Sequence, residues 1–202
     1  ATVYVADVDT GSTITLSAST IPTWMTFTDN DNKTCTLTGT PSNADVINST
    51  QIIIEADDGI GTPVSITYTI AVTNTNDAPT FPTSINNAVE DVAYSETVQV
   101  TDVDVGNISI LSLITGPQWI TNANGYTGGS FTDHGNNTCT LGGTPLNADV
   151  GTGITVQIRA NDGTVTVDKI YTIAVINTPD APTFLTTSIA NATEDSAYNQ
   201  TV

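Results

Sequence analysis

Hydrophobic residues alternate with small polar ones along several short stretches of the chain. The clearest stretch has apolar residues at every second position, separated by Ser, Thr or Ala: Val64, Ile66, Tyr68, Ile70 and Val72. A period of two is typical of a β-strand that turns one face towards a core. We find no stretch with the comparable 3.6-residue period of a helix. The pattern therefore predicts an all-β chain.

Turn residues divide these stretches at regular intervals. Gly, Pro, Asn and Asp separate runs rich in Thr, Val and Ile, with a spacing that suits about seven short strands per domain. Two packed sheets are the fold that this arrangement favours. Trp24 and Trp119 each follow a proline by two positions. We expect them to anchor the cores, although an exposed tryptophan could instead stack on a sugar.

The chain repeats itself. VADVDTG at 5–11 recurs as VTDVDVG at 100–106, and AVEDVAYSETV at 88–98 recurs as ATEDSAYNQTV at 192–202, which gives a period of 104 residues. A period of this size is a domain rather than one turn of a solenoid. The predicted units are a first repeat without its first strand (1–79), a complete second repeat (80–182) with a nine-residue insertion at 122–130, and the first strand of a third repeat (183–202).

The chain is strongly acidic. Asp and Glu number 21 against 3 Lys and Arg, and the formal net charge is -18, while 38% of the residues are apolar. That apolar fraction is too high for a disordered chain. Nucleic acid and anionic membranes require a basic face, so the charge argues against both as partners. Cations are the expected partners, although a solvated acidic surface would have the same net charge.

The two cysteines occupy equivalent positions in the pattern N-x-T-C-T-L-x-G-T-P. Cys35 and Cys139 each alternate with a leucine, which predicts that both thiols fill the inward face of a strand. Equivalent positions of successive domains rarely meet, so we expect no disulfide between them. No stretch approaches the roughly 18 apolar residues of a membrane span. The sequence is expected to be an interior fragment, with export and anchoring signals elsewhere.

An ordered set of motifs resembles a known family. E-D-x-x-Y, D-x-D-x-G, Pro-x-Trp, L-x-G-T-P-x-N-A-D, A-x-D-G and N-T-x-D-A-P follow one another along the repeats. Together they resemble the cadherin-like and dystroglycan-type cadherin-like tandem repeats of large bacterial surface adhesins, also grouped with immunoglobulin-like domains. The resemblance covers the whole chain and implies tandem immunoglobulin/cadherin-like Greek-key β-sandwiches.

Most acidic residues fall in turns at the two ends of each predicted sandwich. If strands A to G alternate in direction, the E-D pair, the N-A-D motif and the linker acid lie at the bottom of a domain. The D-x-D pair and the A-x-D-G acid then lie at the top, so stacking two domains collects both sets around the linker. The candidate metal ligands are Asp7, Asp9, Asp45, Asp58, Asn76, Asp77, Glu90, Asp91, Asp102, Asp104, Asp149, Asp162, Asp180, Glu194 and Asp195.

Oxygen ligands of this kind favour calcium. About five or six oxygens from carboxylates, amides and backbone carbonyls suit Ca²⁺ better than Mg²⁺, and the missing His and thiolate ligands argue against zinc. The resemblance implies the same, because acids at these places hold calcium at the junctions of cadherin-type repeats. The linkers depart from the D-x-N-D-N of true cadherins, and Pro179 replaces Asn76 in the second linker. The number of ions per junction is left open, and any single D-x-D or D-G motif could be an ordinary turn.

Catalytic motifs are missing or accidental. The letters D-T-G at 9–11 spell the aspartic-protease tripeptide, but the second repeat has D-V-G at 104–106. The single histidine, His134, lies in a polar turn and is replaced by Asn30 in the first repeat. We find no phosphate loop and no metal-hydrolase motif. The sequence therefore predicts a protein that is not an enzyme.

Three functions are compatible with these observations. The leading one is a stiff, calcium-locked structural and adhesive module of an extracellular or cell-surface protein, whose partners are neighbouring repeats. The second is a carbohydrate-binding module, with Tyr126 in the insertion as its candidate glycan contact. The third is a head-to-tail fibre, in which residues 184–202 lie against the first repeat of a neighbouring chain and supply Glu194 and Asp195 to the site of Asp45 and Asp77.

Overall fold

The computed structural model describes residues 1–9, 11–104, 106–121 and 128–201, without the side chain of Asn48. Strands make up most of its regular structure, and no helix in these ranges is long and apolar enough to cross a membrane. The elements are β1 (Thr2–Tyr4), β2 (Thr15–Thr20), β3 (Met25–Asp29), β4 (Thr34–Gly39), β5 (Ile47–Asp57), β6 (Val64–Val72), β7 (Ala88–Val89), β8 (Tyr94–Gln99), β9 (Ile110–Thr115), α1 (Gln118–Thr121), β10 (Ser130–Asp133), β11 (Thr138–Gly143), β12 (Gly151–Asn161) and β13 (Thr166–Ile176). Two 3-10 turns, Asn43–Asp45 and Asn147–Asp149, precede β5 and β12.

Each repeat is a sandwich of two sheets. The first repeat has the orders β1-β4-β3 and β2-β5-β6, and the second has β10-β11-β8 and β7-β13-β12-β9. The strand pairs are antiparallel except for β7, which runs parallel to β13. The prediction of tandem immunoglobulin/cadherin-like Greek-key β-sandwiches is thereby confirmed.

Each sandwich encloses its own hydrophobic core. Trp119 is completely buried in the second core and meets the Tyr94 ring edge to face, with centroids 5.2 Å apart. Trp24 in the first repeat is only half-buried, so the expectation that it anchors a core holds less well than for Trp119.

The first repeat is open along one edge. The alternation in β6 predicted an inward row, and Tyr68 and Ile70 do pack against the core. Val64 and Ile66 are instead 73% and 51% exposed. The reason is that β6 is the last strand of its sheet, whereas the equivalent β13 is covered by β7. This edge is the main difference between the two sandwiches.

One carboxylate in each repeat ties the two sheets together. Asp29 at the end of β3 accepts a 2.8 Å hydrogen bond from the backbone N–H of Leu16 in the other sheet. Asp133 at the end of β10 does the same for Leu111, at 3.0 Å. These acids satisfy strand donors, so their role is structural.

Both cysteines are free and fully buried, as the inward positions predicted. Burial raises the pKa of the Cys139 thiol to about 12, and burial also raises the pKa of Cys35.

Because the thiolate is the reactive form, neither residue should react with a thiol reagent at about pH 8 in the folded protein. Mass spectrometry after maleimide labelling should find no adduct before unfolding and two adducts in denaturant. Rapid labelling of the folded chain would contradict the assignment of the thiols as core residues.

Candidate metal centre at the repeat junction

The linker between the repeats is held by carboxylates of the second repeat. The Asn76 amide donates a 3.0 Å hydrogen bond to Asp162, and the backbone N–H of Asp77 donates a 2.8 Å bond to Oδ2 of Asp104. The Asn107 amide lies 3.5 Å from Oδ1 of Asn76. The D-x-D pair, the A-x-D-G acid and the linker therefore meet in one place, as the strand directions predicted.

The D-x-D loop leaves carboxylate oxygens without partners. Oδ1 of Asp102 accepts the backbone N–H of Asp104 at 2.9 Å, which forms an Asx turn. Oδ2 of Asp102 and Oδ1 of Asp104 are buried and have no hydrogen-bond donor, and Asp104 as a whole is only 5% exposed. Buried, unpaired carboxylate oxygens are costly unless a cation or water approaches them. This pair is therefore the strongest sign of a cation site.

Asp162 is fixed by its own turn and by the linker. Its Oδ1 accepts the backbone N–H groups of Val165 at 2.6 Å and Thr164 at 2.7 Å, while its Oδ2 accepts the Asn76 amide. The Val165 N–H, followed by the Asn76 amide and the Thr164 N–H, lowers the pKa of this carboxyl. Asp162 therefore keeps its negative charge in mildly acidic solution.

The first repeat reaches the linker through an asparagine rather than through its aspartate. The Asn43 amide donates a 2.8 Å hydrogen bond to Asp77. Asp45, the predicted ligand, instead closes the 3-10 turn by accepting the backbone N–H and the hydroxyl of Ser42, at 2.8 and 2.7 Å. These two bonds lower the pKa of Asp45. Sequence reasoning missed Asn43, although the N-A-D motif contains it in both repeats.

The lower end of the second repeat has acidic and amide side chains beside the segment that follows β13. Glu90 is completely buried; its Oε2 accepts the backbone N–H of Thr178 at 2.9 Å, and its Oε1 has no hydrogen-bond partner. The Asn147 amide contacts Asp180, just as Asn43 contacts Asp77. Glu90 thus resembles Asp104, because both are buried acids with one carboxylate oxygen that has no hydrogen-bond partner.

The two remaining acids at this end have backbone roles. Asp91 adopts a φ of 58° and donates its N–H to the carbonyl of Pro145 at 2.9 Å. Asp149 closes its 3-10 turn by accepting the N–H of Leu146 at 2.7 Å. The backbone of Asp91 and the carboxylate of Asp149 therefore shape the turns at this end.

The upper end of the first repeat has the same loops as the junction. Asp9 donates its N–H to Oδ1 of Asp7 at 2.9 Å, and Oδ2 of Asp7 is buried without a partner, as in Asp102. The Asp9 N–H is the main reason why the pKa of Asp7 is lowered. Asp58 accepts the N–H of Ile60 at 2.8 Å in the turn that corresponds to Asp162. The loop hydrogen bonds and the unpartnered Asp oxygen seen at the junction therefore recur at this end.

Glu194 and Asp195 lie in the exposed C-terminal segment. Asp195 has a φ of 60°, close to the 58° of Asp91 at the equivalent position of the second repeat. The backbone turn at the E-D pair of the second repeat is therefore also formed at Glu194 and Asp195. The structure does not bring these two acids to Asp45 or Asp77 of the same chain.

The residues at the first junction fit a hard cation. Asp102, Asp104, Asp162, Asp77 and Asn76 could supply carboxylate and amide oxygens, and the Asn76 amide donates a 2.9 Å hydrogen bond to the backbone carbonyl of Asp77. The salt bridge found in the described ranges, Arg159 with Asp168, lies outside this set, so it does not neutralise the junction. In the same ranges no three His, Cys, Asp or Glu side chains form a compact metal cluster. A cation at this place would therefore need amide and backbone carbonyl oxygens besides the carboxylates, and such a mixed set of oxygen ligands suits Ca²⁺.

Sequence comparison identifies the first repeat. The profile of the family described as "Putative Ig domain" matches residues 1–73. No curated protein sequence matches the chain significantly.

Solved structures show the same fold. The extracellular cadherin domains 1–5 of Protocadherin Gamma B2 align with a TM-score of 0.54 at 14% identity, over 84% of this chain and 34% of that one. The Protocadherin GammaB4 extracellular domain aligns with a TM-score of 0.50 at 19% identity, over 80% of this chain and 26% of that one.

A glycoside hydrolase also aligns, more distantly. The endo-fucoidan hydrolase MfFcnA4 from glycoside hydrolase family 107 gives a TM-score of 0.43 at 22% identity over 84% of this chain, which spans 24% of the hydrolase. This chain covers a quarter to a third of these three structures. In fold the chain is therefore a pair of cadherin-like, immunoglobulin-like β-sandwiches, and the family profile covers the first of them.

Proposed function

We propose that this chain is a calcium-stiffened structural and adhesive module of an extracellular surface protein. The observation that supports the proposal best is the pair of buried, unpartnered oxygens on Asp102 and Asp104 at a junction crossed by the Asn76–Asp162 and Asp77–Asp104 hydrogen bonds. Cadherin-like repeats that meet end to end are suited to a structural role. The net charge of -18 favours cations over nucleic acid or anionic membranes as partners.

The residues at the junction would hold the ion between the linker and the second repeat. Asp102, Asp104 and Asp162 belong to the second repeat, and Asn76 and Asp77 belong to the linker. A bound Ca²⁺ would neutralise carboxylates that otherwise repel one another, and it would restrict the angle between the repeats. With the ion bound, the angle between the two repeats would vary less than without it.

The carbohydrate-binding alternative and the extracellular location both stay predictions. The insertion at 122–130 was the candidate glycan site, and its residues 122–127, including Tyr126, lie outside the described residues. The carbohydrate-binding alternative can be tested by a glycan pull-down with and without this insertion. The extracellular location is inferred from the resemblance to cadherin-like repeats of surface proteins.

Calcium titration followed by melting tests the proposal directly. A ligand present at about 100 times its dissociation constant stabilises the state that binds it by about 2.7 kcal/mol. We therefore expect calcium to raise the melting temperature by several degrees, and chelation to lower it and to broaden the small-angle scattering profile. Magnesium at equal concentration serves as the control, and it should stabilise less because it demands a tighter octahedral site. If chelation, with magnesium also removed, changes neither melting nor scattering, the junction does not bind calcium.

A further inference from the structure

Asn137, in the hairpin between β10 and β11, holds both ends of the D-x-D loop of the second repeat. Its backbone carbonyl accepts the N–H of Val100 at 2.8 Å, where the loop begins. Its side-chain amide donates to the carbonyl of Asn107 at 3.0 Å, and its Oδ1 accepts the N–H of Ser109 at 2.6 Å, where the loop ends. These three hydrogen bonds, named here the Asn137 clamp, close the loop that carries the two unpartnered carboxylate oxygens.

The backbone conformation and the hydrogen bonds of Asn137 together require an asparagine. Its φ is 65°, in the left-handed region, which Asn and Gly tolerate better than most residues. A side-chain amide also places donors and an acceptor side by side, which matches the Asn107 carbonyl and the Ser109 N–H. Ser109 is completely buried, so its N–H would be costly to leave without an acceptor.

The first repeat has a different residue at this position. Lys33 corresponds to Asn137 and adopts nearly the same φ of 62°, and its carbonyl likewise accepts the N–H of Val5 at 2.9 Å. A lysine side chain has no acceptor, so it cannot bind a backbone N–H as Oδ1 of Asn137 does. Gly and Lys at position 137 therefore both suit the backbone, and either replacement removes only the side-chain part of the clamp.

The clamped loop meets the linker at two points. Oδ2 of Asp104 accepts the N–H of Asp77 at 2.8 Å, and the Asn107 amide lies 3.5 Å from Oδ1 of Asn76. The Asn107 N–H also donates to the Asp104 carbonyl at 3.2 Å. Because Asn137 binds the Asn107 carbonyl, the clamp fixes the residue that connects the loop both to Asp104 and to the linker.

We propose that Asn137 is a positioning residue for the repeat junction, which keeps the D-x-D loop in the shape that binds the linker and a cation. The cation part of this inference rests on the proposed function, whereas the linker part does not. The amide and Oδ1 of Asn137 are already engaged by Asn107 and Ser109, so Asn137 is not itself a ligand. Residues that orient metal ligands in this way commonly change metal affinity by about 10- to 100-fold when they are replaced.

Amide hydrogen exchange of the full chain in chelator tests the linker part without a metal. In Asn137→Gly and in Asn137→Lys, the N–H groups of Asp104 and Asp77 should exchange at least about tenfold faster than in wild type, because the loop opens more often. Neither group is bonded to Asn137. The N–H of Leu111 in β9 should keep its rate. Unchanged rates at Asp104 and Asp77, or equal acceleration at all three groups, would overturn the inference.

Calcium titration of the same variants by calorimetry tests the cation part. Both should bind calcium about 10- to 100-fold more weakly than wild type, although Asp102, Asp104 and Asp162 are all kept. Asn136→Ala is the matched control. Asn136 lies in the same hairpin, and its Oδ1 accepts the hydroxyl of Thr138 and, at 3.2 Å, its N–H, rather than a group of the loop. This variant should bind calcium like wild type.

The two measurements separate the inference from the proposed function. If wild type binds no calcium while the exchange rates change as expected, the calcium proposal fails and the positioning of the linker by Asn137 stands. If wild type binds calcium and both variants bind it equally well, calcium binding stands and the inference is overturned. Weaker binding by only one of the two variants would also overturn it, because the cause would then be added flexibility or added charge rather than the lost amide.

Discussion

Replacing Asp102 and Asp104 together with Asn is expected to abolish most of the stabilisation by calcium. Asn at 102 can still accept the backbone N–H of residue 104, so the turn is kept while two charges are lost. Calcium affinity depends on the number of charged ligands, and we expect a loss of about 100-fold or more, measured by calorimetry. In chelator the variant should melt at the same temperature as wild type or higher, because buried like charges have been removed.

The opposite effects in calcium and chelator distinguish a metal site from a structural role. A purely structural pair would destabilise the fold in both conditions. The control Asp31→Asn, Asp57→Asn removes the same charge away from the junction, at positions where the second repeat has Gly135 and Asn161. It should leave calcium affinity unchanged, and an equal loss would indicate a diffuse acidic surface. Asp29 is unsuitable as a control because it binds the Leu16 N–H across the sheets.

Replacing Gly143 with Ala is expected to destabilise the second repeat by about 3 kcal/mol or more, from overpacking and backbone strain together. Gly143 has a φ of 155°, and an added Cβ would lie 2.0 Å from the carbonyl oxygen of Trp119. That oxygen belongs to the backbone around the central core residue, so it cannot move away without disturbing Trp119. Thermal melting should show the loss as a fall of ten degrees or more, on the order of 4 to 8 degrees per kcal/mol.

Gly151 provides the matched control for this prediction. A Cβ at Gly151, also in the second repeat, would meet no atom within 4 Å. Gly151→Ala should therefore melt close to wild type. If Gly143→Ala also melted like wild type, the tight approach between β11 and α1 would be wrong.

Periodic features were the ones that sequence could predict. Alternation identified the strands, and the inward positions of Cys139 and Leu141 followed from the same rule. The end-to-end placement of the D-x-D loop, the linker and the A-x-D-G acid followed from strand direction alone. Both results follow from backbone geometry: side chains alternate along a strand, and successive strands run in opposite directions. The order of residues in the sequence is enough to infer both.

Features that depend on particular neighbours were not predictable in this way. Asp45 carries the charge expected of a ligand, but a Ser three residues earlier gives it a better local partner. Asn43 then takes the contact to the linker. Likewise, the sequence shows that L-x-G-T-P contains a glycine but not why a glycine is needed there. In the structure, any side chain at this position would collide with the backbone carbonyl of Trp24 in the first repeat or of Trp119 in the second. Val64 and Ile66 have an inward pattern, yet they are largely exposed because β6 is the last strand of its sheet.

The parallel pairing of β7 with β13 also determines how the second repeat would respond to pulling. The chain enters this sandwich through β7 and leaves it through β13, and Ala88 pairs with Val175 while Val89 pairs with Ile176. Because the two strands run in the same direction, tension along the chain slides one strand past the other. The Glu90 to Ile176 bond and its neighbours are then loaded together in shear, instead of opening one after another as in a peeled hairpin.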